Sequence, residues 1–384
     1  MTSGTDDPYA GLVRTDVPQI VAADCQPDSL VIRFDGHAEP ERYGWLWLRD
    51  HDENDASLDA ATLQRKVDTF RLVDDVVGTA VSISDGTSIS VSWSDGSPTG
   101  VMSARTLATV AGLFDPLPRR RPWTRATIID PLPSVTAAAA LTDDSAVVQW
   151  LTNVRIHGFG LVRELEPTAA AAAALARRVA YPRDTIFGAM WTLSSEVRAH
   201  DDSAYSTSYL EPHTDGTYAI DAPGLQMFCC VEREGSGGES TLVDGLQVAE
   251  SIRADDSEAF EVLTTVSVPG RYVEEGVHLM ASRPPIHLDA NGGIVQVSLN
   301  NYDRAPMRLP RAEMAEFYRA YGVLHARAND PANRIEIRLE PGDALLFDNW
   351  RTLHGRMSYV GRRVFEGCYH NHEDFISRLI TLAG

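Results

Sequence analysis

The residues best suited to chemistry in this chain are a histidine and an aspartate one residue apart, His213 and Asp215. Side chains alternate between the two faces of an extended chain, so two residues at this spacing point to the same side. They could therefore be neighbouring ligands of one metal ion. A third ligand is available from His354, which follows the apolar run Ala344–Asp348 that is typical of a buried strand.

Two imidazoles and one carboxylate leave the opposite coordination positions of a metal ion open. Non-haem Fe(II) oxygenases use this ligand set, and zinc hydrolases can use it as well. The ligand types alone leave both chemistries open, and a histidine and an aspartate fall at this spacing by chance in many chains of this length. Taken in isolation, His213 is more typical of a hydrogen-bonded surface or core histidine. The sequence around the three residues is therefore needed to distinguish a metal site from an ordinary histidine and iron from zinc chemistry.

Five stretches around these residues supply that context. They are His157–Val162, Pro212–Asp215, Gly237–Gly245, Phe347–Arg356 and Arg363–Tyr369. In residue type, order and spacing they resemble the gamma-butyrobetaine hydroxylase family of Fe(II)/2-oxoglutarate dioxygenases, within the wider taurine-dioxygenase-like group. The string FDNWRTLHGR at Phe347–Arg356 is the most specific of the five. The likeness covers essentially the whole chain.

The resemblance implies a cofactor site. Fe(II) would be held by the two histidines and the aspartate, and 2-oxoglutarate would chelate it through its keto acid end. Arg363 occupies the family's position for the distal carboxylate of 2-oxoglutarate, to which a guanidinium offers a bidentate contact. Ser240 matches a hydroxyl that supports the same carboxylate, whereas Arg362 is expected to face solvent from the other side of its strand. O2 would be the second co-substrate, with ascorbate as the reductant.

The resemblance also implies an aromatic cage for a trimethylammonium group, which is attracted to the faces of aromatic rings. The matching positions are Phe187, Trp191, Tyr205 and Tyr369. Phe187 replaces the tyrosine that is typical of the family, and this change keeps the ring face.

For the anionic end of the substrate, Asn300 and Asn301 match an asparagine pair of the family. Asp202 departs from the pattern, because the hydroxylase that makes carnitine has asparagine there. A carboxylate at this position would repel a substrate carboxylate unless it is protonated or bridged by water. The departure argues against gamma-butyrobetaine itself while keeping a cationic substrate attractive.

These features predict hydroxylation of an unactivated C–H bond in a small quaternary-ammonium zwitterion, either gamma-butyrobetaine or a related trimethylammonium acid or phosphonate. Because Asp215 fills the carboxylate position, hydroxylation is favoured over halogenation. One alternative is a related Fe(II)/2-oxoglutarate oxygenase that acts on another small metabolite by hydroxylation, desaturation or cyclisation. The other is a non-catalytic jelly-roll protein that binds a metabolite.

The composition argues against several partners. The chain has 34 Lys and Arg against 54 Asp and Glu, a formal charge of -20, whereas nucleic acids and anionic membranes require a basic face. No stretch approaches the ~20 apolar residues of a membrane span, and the polar start MTSGTDDPYAG lacks the features of a secretory leader. Four scattered cysteines do not make a disulfide framework. A soluble protein of the cytoplasm is expected.

Strand and turn patterns predict an N-terminal β module over residues 1–115, with strands such as Leu30–Phe34, Ala80–Ser84 and Ser88–Trp93 separated by Asp-Gly turns. Relatives often carry a cysteine-rich zinc site after the string WLRD. The matching stretch Trp47–Leu58 contains no cysteine, so we expect no zinc here. Packing and a homodimer interface are expected to stabilise the module instead.

The proline-rich segment after this module predicts an interdomain linker over residues 116–135, with the arginines 119–121 in solvent. Residues 136–384 are predicted to form the catalytic domain. Its pattern is mainly β with flanking helices and, with the resemblance, favours a double-stranded β-helix, or jelly roll. The predicted helices are Asp143–Thr152, an alanine-rich helix capped by Thr168 and Arg311–Ala328.

Overall fold

The computed structural model describes residues 16–72, 75–194 and 206–383, and within them the protein is mainly β with helices. The chain divides into two compact units, with the boundary between Leu117 and Pro118. Each unit has a hydrophobic core of its own.

The first unit consists of two three-stranded antiparallel sheets, β1-β2-β3 and β4-β5-β6, and two short helices. The elements are β1 (Ile20–Cys25), β2 (Ser29–Phe34), β3 (Glu41–Gly44), α1 (Trp45–Asp50), β4 (Gly78–Ser84), β5 (Ser88–Trp93), β6 (Gly100–Ser103) and α2 (Ala104–Val110), with a 3-10 turn at Thr69–Arg71. Strand β5 has the predicted bounds. The turn before it uses Gly86, whose φ of +70° suits a residue without a side chain.

A buried aspartate organises the loop that follows α1 in the first unit. Asp52 is 3% exposed, and its Oδ1 accepts hydrogen bonds from the backbone N–H groups of Asn54 (3.0 Å) and Val101 (2.8 Å). Its Oδ2 accepts from the side chains of Asn54 (2.6 Å) and Ser57 (3.4 Å). A buried carboxylate with this many donors is well satisfied, so hydrogen bonds hold the loop at the position where relatives are expected to place zinc.

The second unit begins with a mixed helix and strand region and continues into two larger sheets. Its strands are β7 (Ser134–Thr136), β8 (Phe159–Arg163), β9 (Trp191–Ser194), β10 (Leu210–His213), β11 (Leu225–Arg233), β12 (Ser236–Gly237), β13 (Ser240–Asp244), β14 (Val268–Glu274), β15 (Val277–Arg283), β16 (Ile286–Leu288), β17 (Ile294–Val297), β18 (Arg334–Ile337), β19 (Ala344–Asp348), β20 (Thr352–Arg356), β21 (Tyr359–Val360) and β22 (Arg363–His370). Its helices are α3 (Ala137–Thr142), α4 (Asp144–His157), α5 (Ala169–Val179), α6 (Gly245–Asp255), α7 (Ser257–Thr265), α8 (Arg311–Ala328) and α9 (His372–Ala383), with a 3-10 turn at Pro331–Asn333.

Two sheets enclose the core that positions the site. The larger has the order β7-β8-β19-β11-β22-β9, and the smaller has the order β10-β20-β13-β18. All neighbours in these sheets are antiparallel except the parallel pair β7 and β8. Side chains of both sheets share one apolar cluster, in which Phe347 and Phe365 come from the larger sheet and Leu242 from the smaller. The remaining strands form the pairs β12-β21, β14-β15 and β16-β17.

The helices follow the sequence signals closely. Helix α8 has the predicted bounds, and Thr168 caps α5 by accepting a hydrogen bond from the N–H of Ala171. Helix α4 extends beyond the predicted Thr152 to His157 and ends at Gly158, whose φ of +83° allows the left-handed turn into β8. Among the described residues, none of the helices combines the length and apolar character needed to cross a membrane.

The segment predicted to be a solvated linker packs against the second unit. Trp123 is 2% exposed, and its backbone N–H donates to Oδ2 of Asp244 at 2.9 Å. The guanidinium of Arg120 donates to the carbonyl of Ile294 at 2.8 Å, so it does not lie free in solvent. The linker prediction is therefore wrong from Pro118 onward. Prolines prevent a regular hydrogen-bond ladder, but they do not prevent side chains and single backbone groups from packing.

Candidate active site

The pairing of β10 with β20 places the two histidines side by side. His213 at the end of β10 lies opposite His354 in β20, and His354 lies opposite Leu242 of β13 on its other side. Asp215 follows two residues after His213, immediately before Gly216. Gly216 has a φ of +73°, and a Cβ there would lie 2.4 Å from Pro223, so a side chain would block this turn.

Asn349 holds the backbone of Asp215 from the turn after β19. Its Oδ1 accepts from the N–H of Asp215 at 2.9 Å, and its Nδ2 donates to the carbonyl of Asp215 at 3.0 Å. Asn349 is 1% exposed and also donates to the carbonyl of Pro223 at 2.8 Å. The FDNWR string therefore contributes an amide that fixes the position of the carboxylate.

The three side chains form a candidate metal centre. Ligand atoms of His213, Asp215 and His354 all lie within 4.8 Å of one another. Nε2 of His213 is 3.4 Å from Oδ1 of the aspartate, and Nε2 of His354 is 3.7 Å from Oδ2. Nδ1 of His213 is 2.8 Å from the carbonyl of Glu211, to which it donates, so Nε2 is the nitrogen available to a metal. These donors fit an Fe(II) ion with positions open toward the cavity.

The protonation states also suit metal binding. Burial lowers the pKa of His354 to about 3, and the charge of His213 adds to this effect. Burial opposes the charged form of Asp215, but the two histidines and Tyr369 outweigh it and hold the pKa of this carboxyl below its usual range. Burial likewise opposes charge on His213, but the hydrogen bond and charge of Asp215 raise its pKa. A carboxylate and a neutral imidazole are therefore available, and a metal ion would displace the proton of the second imidazole.

Tyr369 orients the carboxylate of the centre. Its hydroxyl donates to Oδ2 of Asp215 at 2.8 Å and accepts a long hydrogen bond from Nε2 of Gln226 at 3.4 Å. Tyr369 lies on β22, opposite Gln226 of β11. A residue predicted from the resemblance as part of an aromatic cage therefore contacts a candidate metal ligand.

Arg363 provides a buried cation at another part of the same cavity. It is 8% exposed, and its nearest polar side-chain contact is Oγ of Ser240 at 3.5 Å. Among the described residues, none of the carboxylates lies within 4.0 Å of its guanidinium nitrogens. Burial, together with the nearby Arg356, lowers the pKa of Arg363 to about 9. A buried guanidinium in this situation requires an anion, and the distal carboxylate of 2-oxoglutarate meets this requirement.

A second arginine, Arg356, lies close to Arg363. It is 4% exposed and donates to the carbonyl of Ser208 at 3.0 Å and also to that of Ser206. The two guanidinium carbons lie 5.0 and 5.9 Å from the ring centroid of Tyr359. Sequence reasoning did not identify Arg356. Its spacing of two residues from His354 was the available signal, since both face the cavity from β20.

Two groups of aromatic rings line the cavity. Trp191 lies 5.6 Å from Tyr369 and 5.5 Å from Phe228, measured between ring centroids. Its ring covers Gly367, where a Cβ would come within 2.1 Å of it, so a glycine is required there. In the second group, Phe187 and Tyr218 both pack against Tyr272, at 5.8 and 5.1 Å.

The structure brings most of the predicted site residues into one cavity. Those that line it are Phe187, Trp191, His213, Asp215, Ser240, Asn300, His354, Arg363 and Tyr369. Asn301 does not line the cavity, because its side chain is exposed and accepts a hydrogen bond from Nε of Arg304 at 3.2 Å; its role in substrate binding stays a prediction. Asp202 and Tyr205 lie outside the described residues. The lining residues that sequence reasoning missed include Tyr218, Gln226, Phe228, Asp303 and Arg356.

This arrangement defines the class of protein. A buried centre of two histidines and one carboxylate, with a buried arginine nearby, matches the needs of Fe(II) and of a keto acid that carries a second carboxylate. The protein is an Fe(II)- and 2-oxoglutarate-dependent dioxygenase.

Comparison with known proteins places the chain within a family. Residues 128–369 match the family described as taurine catabolism dioxygenase TauD, TfdA family, and the chain belongs to it. It is 32% identical to a trimethyllysine dioxygenase of Meyerozyma guilliermondii, over 95% of this chain and 96% of that protein. It is 29% identical to the gamma-butyrobetaine dioxygenase of Pseudomonas sp. strain AK-1, over 91% of this chain and 92% of that protein. The relationship predicted from the sequence motifs is confirmed.

Among solved structures, a taurine dioxygenase from Burkholderia xenovorans is similar to this protein, with a TM-score of 0.49 and 16% identity. The match covers 64% of this chain and 89% of the other.

Proposed function

We propose that this protein hydroxylates an unactivated C–H bond of a small zwitterion that carries a trimethylammonium group. The observation that carries the proposal is one cavity lined by the metal ligands, by the buried Arg363 and by the aromatic rings of Trp191 and Tyr369. A trimethylammonium group has no N–H to donate, and ring faces attract it without requiring a hydrogen bond. The two named relatives, whose substrates both carry this group, support the same class of substrate.

The proposal includes an assignment of the fold around the cavity. The four-stranded and six-stranded sheets share a core, and the metal ligands project between them, as expected for a double-stranded β-helix, or jelly roll. The rings of Phe347 and His354 lie 4.7 Å apart across this interior.

Different residues of the chain would bind the metal, the co-substrate and the substrate. His213, Asp215 and His354 would hold Fe(II), and Arg363 with Ser240 would hold the distal carboxylate of 2-oxoglutarate. Bound Fe(II), with 2-oxoglutarate and O2, supplies the oxidising power that converts C–H to C–OH while 2-oxoglutarate becomes succinate and CO2. The aromatic rings hold the cation and exclude water from the reacting carbon.

Nε-trimethyllysine is the first candidate substrate, because the trimethyllysine dioxygenase relative shares more identity with this chain than the gamma-butyrobetaine relative does. Gamma-butyrobetaine is the second. A trimethylammonium phosphonate would also satisfy the requirement for a cation at one end and an anion at the other.

The test is a substrate panel with the full chain, Fe(II), 2-oxoglutarate and O2. We expect succinate formation coupled to a product that has gained one oxygen atom with Nε-trimethyllysine or gamma-butyrobetaine, and none with unmethylated lysine. A product that has lost two hydrogens would instead favour desaturation or cyclisation. Failure of every trimethylammonium compound, including trimethylaminoethylphosphonate, to stimulate succinate formation would contradict the proposal.

A variant of the metal centre tests the assignment of the ligands. Asp215→Ala should lower coupled turnover by more than the roughly 100-fold typical of losing a residue that only supports a ligand. The matched control is Glu258→Ala, which removes a carboxylate that is 90% exposed and should leave turnover unchanged. Normal coupled turnover in Asp215→Ala would refute the centre.

A further inference from the structure

Asp303 is a carboxylate that lines the active-site cavity and that neither the metal nor 2-oxoglutarate requires. The charged side chains other than histidine that line the cavity, among the described residues, are Asp215, Asp303, Arg356 and Arg363. Asp215 serves the metal and Arg363 serves 2-oxoglutarate. The cavity therefore also contains one carboxylate and one guanidinium to which the cofactor site assigns no role.

A hydrogen-bond network holds Asp303 in place. Its Oδ2 accepts from Nδ2 of Asn300 at 2.8 Å and from the hydroxyl of Thr217 at 3.4 Å. Its backbone is fixed as well, because its N–H donates to Oδ1 of Asn300 at 3.3 Å and its carbonyl accepts from the N–H of Arg271 at 2.8 Å. The carboxylate is thus preorganised, which lowers the cost of binding a ligand.

The same network connects Asp303 to the metal centre. Nδ2 of Asn300 also donates to the carbonyl of Thr214 at 3.3 Å, and Thr214 stands between the two metal ligands of that segment. The hydroxyl of Thr214 in turn accepts from the N–H of Leu299 at 3.0 Å. A substrate group bound at Asp303 would therefore lie at a defined position relative to the reacting centre.

The chemistry of a carboxylate selects the kind of group that it binds. A carboxylate accepts hydrogen bonds, and a primary ammonium offers three donors, whereas a trimethylammonium offers none. The aromatic rings suit the trimethylammonium group, and Asp303 suits the primary ammonium group. A cavity with both features fits a substrate that has two cationic groups of different kinds.

We infer that Asp303 binds the α-ammonium group of an amino acid substrate and selects substrates that carry it over those with a trimethylammonium group alone. This inference rests on the proposed function and deepens it, since Nε-trimethyllysine has both cationic groups and gamma-butyrobetaine has one. Asp303 acts as a specificity-determining residue and has no part in metal binding.

A comparison of two substrates in two proteins tests the inference. The substrates are Nε-trimethyllysine and 6-trimethylammoniohexanoate, which has the same carbon chain and lacks only the amino group. In the wild type, kcat/KM should be higher for trimethyllysine. Asp303→Asn keeps the size of the side chain and an acceptor for Asn300 but removes the charge, so the selectivity ratio should fall about 10- to 100-fold, as expected for a lost charged hydrogen bond.

Two controls separate recognition from folding. Asp289→Asn alters a carboxylate in the exposed turn between β16 and β17, where it accepts from the N–H groups of Asn291 and Gly293, and should leave the selectivity ratio unchanged. Binding of Fe(II) and 2-oxoglutarate, followed anaerobically by the visible absorption of the complex, reports whether the site of Asp303→Asn is intact.

The outcomes distinguish this inference from the proposed function. If the wild type uses both substrates equally well, or if Asp303→Asn weakens both by the same factor, Asp303 is not an ammonium site and the proposed function still stands. If the wild type uses no trimethylammonium compound at all, the proposed function fails and this inference fails with it.

Discussion

Neighbouring arginines at the start of β22 show how much a single position matters. Arg363 faces the cavity and is buried, whereas Arg362 pairs with Glu232 at 3.2 Å and its side chain is 46% exposed. Successive side chains of an extended chain point to opposite faces, and this alternation produces the difference. Two residues with the same chemistry therefore have different expected roles, which makes them a matched pair for experiment.

Arg363→Lys should raise the KM for 2-oxoglutarate by about 10- to 100-fold, because lysine keeps the charge and loses the planar pair of donors, and a hydrogen bond to a charged group contributes ~1.5–3 kcal/mol. The measurement is succinate formation against 2-oxoglutarate concentration at saturating substrate. Arg362→Lys is the control and should leave this KM unchanged. An equal effect of both substitutions, or none from Arg363→Lys, would argue against the assignment.

At the scale of secondary-structure elements, a buried ion pair fixes the strand that carries His354. Arg351 lies in the turn between β19 and β20, and its Nε and Nη2 donate to the two carboxylate oxygens of Asp244 at 2.9 and 2.8 Å. It also donates to the carbonyls of Arg121 and Ile156 at 2.8 and 2.9 Å. One guanidinium therefore joins the ends of β13 and α4 to the segment after Pro118.

Removal of this guanidinium should be strongly destabilising, since it leaves the carboxylate of Asp244 buried without its partner. We expect Arg351→Ala to lower the free energy of unfolding by about 3–5 kcal/mol, measured by urea denaturation followed by tryptophan fluorescence. Arg319→Ala, which breaks the exposed pair with Asp256, should lower the free energy of unfolding far less, because solvent screens exposed ion pairs. A similar small loss in both variants would show that Arg351 is not structurally important.

At the scale of the whole molecule, buried neutral histidines link stability to pH. His370 is fully buried at the end of β22, and its Nδ1 lies 3.2 Å from the carbonyl of Tyr181. Burial lowers its pKa from 6.5 to about 4. The unfolded chain therefore binds this proton more tightly than the folded protein does. The contribution of His370 to stability is complete above about pH 6.5 and is lost as the pH falls toward 4.

The homodimer and the cytoplasmic location expected from the sequence stay predictions.

His370→Asn should flatten this dependence, because the amide Nδ2 can still donate to the carbonyl of Tyr181 and does not titrate. Between pH 6 and 4.5, urea denaturation of the metal-free wild type should show a loss of about 1.4 kcal/mol per pH unit beyond that of the variant. Parallel pH profiles for the two proteins would show that His370 does not contribute.

Local patterns determined much of this protein in advance. Asp-Gly pairs and alternating residues located the strand Ser88–Trp93, and helical periodicity located the helix Arg311–Ala328 with the bounds that the structure shows. The His-x-Asp spacing placed two candidate metal ligands on one face, and the motifs around them identified the family. These features depend on residues close together in the chain, where period and turn chemistry act directly.

The contacts between segments that are distant in the sequence depended on the tertiary structure. It buried the segment after Pro118, turned Asn301 toward solvent and brought Tyr218, Asp303 and Arg356 into the cavity with the metal ligands. Apart from the spacing of Arg356 from His354, no local pattern marks these residues, because their environment depends on which strands pair and which faces of two sheets enclose the core. The sequence by itself therefore determined many of the elements and the family, and the packing of the sheets determined the shape and charge of the cavity.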